Sequence, residues 1–75
     1  MPSVLLNQVP AGHKFRLNTI NGDKQLQRRL KSLGVTPGNE FEIIKHQSSG
    51  VVIGRGTNRV ALGNSIACKL QVEDI

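Results

Sequence analysis

The spacing of apolar positions changes several times along the chain. In residues 13–20, HKFRLNTI, Phe15, Leu17 and Thr19 alternate with Lys14, Arg16 and Asn18, the period of two expected of a strand with one buried face. Gly12 precedes this run and Asn21-Gly22 ends it. From residue 23 the period lengthens. Leu26, Leu30 and Leu33 fall on one face of a helix over about residues 23–33, with Lys24, Arg28 and Lys31 projecting away and Arg29 flanking the apolar stripe. Gly34 stands where a helix end wants a left-handed residue, which places Val35 to contact Leu30 as in a Schellman stop. Thr36-Pro37-Gly38-Asn39 then suits a type II turn, with proline setting the first central residue and glycine accepting positive φ at the second.

Short strands account for the rest of the pattern. Phe41 to His46 forms one; Val51 to Ile53 and Val60 to Leu62 form two more, separated by the turn cluster Gly-Arg-Gly-Thr-Asn; Leu70 and Val72 alternate with polar neighbours in a last strand. The expected fold is mostly β, five short strands with one amphipathic helix in a single domain over residues 1–75. A sheet this small has few ways to protect its edges, and closure into a barrel is the natural one. The expected core sets Leu26, Leu30 and Leu33 against Phe15, Phe41, Ile43, Val52 and Leu62.

Composition narrows the function. The chain of 75 residues buries only about 60% of its unfolded surface, which leaves little room for a catalytic cleft. No apolar run approaches the roughly 20 residues of a membrane span. The segment MPSVLLNQVPAG has no basic leading region and only a short apolar patch at Val4 to Leu6, so no secretory signal is expected and the cytoplasm is the expected location. The single Cys68 cannot close an internal disulfide, which agrees with a reducing compartment. Ten basic against five acidic residues give a net charge of +5. Lys14, Arg16, Lys24, Arg28, Arg29 and Lys31 crowd the first half, offset there by Asp23. That asymmetry favours an acidic partner, whether nucleic acid, anionic headgroups or an acidic protein surface.

Reactive chemistry is sparse. The chain offers neither a nucleophile beside a base nor paired carboxylates, so no enzyme activity is expected. His13, His46 and Cys68 would make a metal site only if folding gathered them, since no two are at helical spacing or in a C-x-x-C knuckle; no metal site and no cofactor are expected. GRGTNR, residues 54–59, lacks the lysine-serine/threonine ending and the following helix of a phosphate loop, and reads as a hairpin turn.

RRLKSLGVTPGNEFEII, followed by a turn-rich strand pair and VALGNSIACKLQV, resembles the ferrous iron transport protein A (FeoA) family. Arg29, Leu30, Leu33, Gly34, Pro37 and Gly38 carry the first part of the resemblance, and Ala61, Leu62, Ala67, Leu70 and Val72 the second. Gly63 stands where an arginine often follows the Ala-Leu strand, and SSGVV lacks the proline common in that loop. The resemblance implies an SH3-like small β-barrel acting as a cytosolic accessory to a membrane ferrous iron permease with its own GTP-hydrolysing domain. The same module occurs as the C-terminal domain of some metal-responsive repressors; with no helix-turn-helix ahead of it, transport is favoured over regulation.

The expected function is therefore that of a protein-binding module that modulates the permease, with Lys24, Arg28, Arg29 and Lys31 as the expected partner-binding residues. The alternative is a small basic barrel that binds nucleic acid or serves as an interaction domain of the metal-regulator type. Against nucleic acid stands the lack of Tyr and Trp, with two Phe at expected core positions. The same lack of exposed aromatics removes the groove that a proline-peptide-binding SH3 domain uses.

Overall fold

The computed structural model describes residues 3–75, so the first two residues of the expected domain lie outside it. In chain order the elements are β1 (Val4–Leu5), a 3-10 turn (Leu6–Gln8), β2 (Lys14–Ile20), α1 (Lys24–Ser32), β3 (Glu40–Gln47), β4 (Gly50–Arg55), β5 (Asn58–Gly63), α2 (Asn64–Ala67) and β6 (Leu70–Asp74). The strands form one antiparallel sheet in the order β1-β6-β2-β3-β4-β5.

Among the described residues six strands stand where five were expected. The addition is β1, whose Val4 and Leu5 pair with Val72 and Gln71 of β6. Two residues show no period, so the strand exists only because β6 offers it an edge. Nor do hydrogen bonds close the sheet into a full barrel: β1 and β5 lie at its two ends. The short helix α2, absent from the sequence expectation, packs against β4, β5 and the 3-10 turn, and Leu6 and Ala67 are fully buried. Side-chain packing thus covers the seam that strand pairing leaves open.

The local stops fall as the residue types require. Asp23 caps α1, its Oδ1 accepting from the Leu26 amide at 2.8 Å. At the other end Gly34 has φ 82°, the Gly34 amide donates to the Lys31 carbonyl and the Val35 amide to the Leu30 carbonyl, each at 2.9 Å. That bond pair is a Schellman stop. Gly38 has φ 93° and the Asn39 amide donates to the Thr36 carbonyl, as a type II turn demands.

Four expectations of burial change. Leu33, the helix cap, is 50% exposed; the glycine stop turns the chain so that Val35, at 1%, takes the inward position. A bulge between Leu17 and Thr19 shifts the register of β2, leaving Thr19 exposed and sending Ile20 inward. In β4 the inward residues are Val51 and Ile53, so Val52 is only half-buried. Leu26 packs at the core margin, half-buried. The remaining expected residues, Phe15, Leu30, Phe41, Ile43 and Leu62, are buried. Phe15 and Phe41 pair across β2 and β3 with ring centroids 5.8 Å apart, an arrangement that adds to simple burial.

Candidate functional site

Burying Leu30 fixes the rotation of α1 and therefore decides what the helix shows to solvent. Lys24, Arg28, Arg29 and Lys31 are all exposed, but they do not share one surface. Lys24, Arg28 and Lys31 recur at spacings of four and three and line one side of a groove of about 470 Å³. The opposite side comes from Asn18 and Thr19 of β2 and from Thr36 of the turn, with Ile20 and Pro37 as its apolar lining. Arg29 instead lines a separate, smaller depression with Asp23, Gln25 and Leu26. Of the expected docking residues, folding brings three together and separates the fourth.

No acidic residue lines the groove, and among the described residues none of its cations forms an ion pair. Arg16 is the contrast. Its guanidinium donates to Glu40 Oε2 at 2.9 Å and lies 3.6 Å from Glu73. The hydrogen bond from Arg16 to Glu40, with the charge of that carboxylate, raises the arginine pKa further above its ordinary value. Arg16 is thus occupied by its two flanking strands, whereas the row on α1 has no such ion pair among the described residues.

The wall opposite that row is not legible in the sequence. Asn18 and Thr19 read as ordinary strand residues, and no local signal ties them to a helix that follows a turn. Pro37 reads as a turn residue alone. Only the path of the chain through Asn21-Gly22 sets β2 beside α1.

The metal candidates each have a separate partner. His13 Nδ1 lies 3.1 Å from Asp74 Oδ2, His46 Nε2 lies 2.7 Å from the Val9 carbonyl, and the exposed Cys68 donates to the Ser65 carbonyl. Among the described residues no three His, Cys, Asp or Glu side chains gather to hold an ion. The GRGTNR segment forms the β4–β5 hairpin, with Arg55 paired to Asn58 and Gly56 at φ 62°. Both phenylalanines are buried, so neither presents a ring for base stacking.

The FeoA domain family matches residues 4–74. The chain belongs to the FeoA domain family. Among relatives, it is 29% identical to a protein of Methanocaldococcus jannaschii named "Putative Fe(2+) transport protein A", over 84% of this chain and 77% of that protein. The crystal structure of an iron uptake regulatory protein, FeoA, superposes with a TM-score of 0.88 at 27% identity, covering 99% of this chain and 100% of that one. A manganese-dependent transcriptional repressor has the same fold, with a TM-score of 0.88 at 19% identity over 99% of this chain and 42% of that one. The fold of this chain is thus the FeoA fold, and family membership associates it with ferrous iron transport. No helix among the described residues of this FeoA domain is long and apolar enough to cross a membrane.

Proposed function

We propose that this FeoA domain is a cytosolic accessory of ferrous iron uptake that binds and modulates a membrane ferrous iron permease carrying a GTP-hydrolysing domain. The observation that carries the reading is the row of Lys24, Arg28 and Lys31 along a groove with no acidic lining residue. Cations without an internal partner suit an acidic patch on the permease's cytosolic part. Such charges chiefly speed encounter and select the partner, and their effect fades as salt rises. Contact energy then comes from the apolar lining that the same groove offers at Ile20 and Pro37.

Reversing charge with Arg28→Glu and Lys31→Glu tests this reading. Both side chains are exposed, so the double variant is expected to fold. It is expected to co-purify less permease from native membranes at low salt and to slow cellular ferrous iron uptake. Unchanged association and uptake in the folded variant would move the docking surface off α1.

A further inference from the structure

The wall of the groove that faces α1 is an incomplete strand pairing. β3 pairs with β2 only through Lys14, Phe15 and Arg16. At Leu17 the turn takes over, with the Leu17 amide donating to the Asn39 carbonyl and the Gly38 amide to the Leu17 carbonyl. Beyond Leu17, where the bulge falls, β2 continues to Ile20 paired with β6 alone. Among the described residues, the second half of an otherwise internal strand therefore has no strand neighbour on one side, and Asn18, Thr19 and Ile20 there line the groove opposite Lys24, Arg28 and Lys31.

We infer that this groove seats an extended acidic peptide segment of a protein partner, laid beside Asn18–Ile20 with its carboxylates turned to Lys24, Arg28 and Lys31. The inference rests on the reading of α1 as the docking surface and names what docks there. An open strand edge offers backbone donors and acceptors to an added strand, which is how extended peptides bind many sheet proteins. The dimensions agree. From Lys24 to Lys31 the helix rises about 10 Å, the length of about three extended residues. Alternate side chains of a strand point the same way at about 6.6 Å, against about 6 Å of rise between Lys24 and Arg28. Acidic residues at alternate positions thus meet Lys24 and Arg28, a third comes within reach of the long Lys31 side chain about 4.5 Å of rise further on, and the side chain between them faces Ile20 and Pro37, where an aliphatic residue fits. A peptide of this kind is favoured over nucleic acid because the groove has no aromatic lining residue.

The test titrates the 15N-labelled chain with an acetylated Glu-Val-Glu-Val-Glu peptide and with its Gln-Val-Gln-Val-Gln counterpart. Amide shifts are expected at Asn18, Thr19 and Ile20 and along α1, for the acidic peptide alone, with affinity falling as salt rises. Lys24→Ala, Arg28→Ala and Lys31→Ala are each expected to weaken binding about twofold to fivefold, while Arg29→Ala leaves it unchanged. Three results would overturn the inference: shifts spread evenly over Lys45, Arg55, Arg59 and Lys69; helix shifts with none in β2; or no peptide binding while oligothymidylate shifts the groove amides. If the Arg28→Glu, Lys31→Glu variant loses the permease but the wild-type chain ignores the peptide, docking on α1 stands and the peptide seat falls. Peptide binding without permease association means the reverse: the seat stands and the permease is not its partner.

Discussion

The Val35 amide reaches back 2.9 Å to the Leu30 carbonyl, so a bond that helps to end the helix also draws Val35 into the core, where 1% of it remains exposed. Gly34 makes that reach possible at φ 82°. A Cβ there would meet nothing within 4 Å, so the cost of substitution is backbone strain and not collision. Gly34→Ala is expected to lower stability by about 1–2 kcal/mol, Gly34→Val by more because branching at Cβ resists positive φ, and Gly34→Asn by least. Urea unfolding of the three variants measures the order. Equal losses for Val and Asn would show that the loop relaxes to negative φ.

Leu30 and Leu33 separate the two sides of the same helix end. Leu30 is buried, so Leu30→Ala is expected to cost about 2–5 kcal/mol by loss of contact and creation of a cavity. Leu33, half exposed, is expected to change stability by about 0.5 kcal/mol or less when replaced by Ala. Thermal or denaturant unfolding of the pair tests the rotation of α1, and similar losses for both would contradict it.

Asp23 secures the start of α1 through its bond to the Leu26 amide. Asp23→Ala is expected to cost about 1 kcal/mol, and Asp23→Ser or Asp23→Asn much less, since each keeps a capping oxygen. Because α1 carries the basic row, faster amide hydrogen exchange in its first turn should accompany the Ala variant. An unaltered exchange pattern with unaltered stability would show that the cap contributes nothing.

Ferrous iron and GTP should find little to engage in the isolated chain. His13 and His46 each already have an oxygen partner, Asp74 and Val9 respectively. Calorimetric titration with ferrous iron under reducing conditions is expected to show no stoichiometric, sub-micromolar binding, and a phosphate-release assay no GTP hydrolysis. Tight iron binding that disappears in His13→Ala or His46→Ala would instead make the protein a metal carrier.

Much of this molecule follows from interactions between near neighbours in the chain, and those parts are legible in the sequence. The Schellman stop needs Leu30, Lys31, Gly34 and Val35; the type II turn needs Thr36 to Asn39; the alternation of Phe15 and Leu17, or of Leu70 and Val72, needs only a pleat of period two. Each is decided within about one helical turn of chain by allowed φ and side-chain direction. Long-range pairing decided the rest. Val4 and Leu5 become a strand because Val72 and Gln71 present an edge, and Leu33 loses its core place because the glycine stop turns the chain and brings Val35 inward. The register slip after Leu17 turns Ile20 inward in place of Thr19, a choice that alternation alone gets wrong. The groove belongs to this second class: the sequence determines that Lys24, Arg28 and Lys31 share a helical stripe, whereas the way β2 and the Thr36–Pro37 turn fold beside α1 decides that they face Asn18 and Thr19 and leave Arg29 outside. Both walls come from the one stretch of residues 18–37, yet no periodicity in it shows that they face each other, because their approach is set by close packing against the rest of the chain.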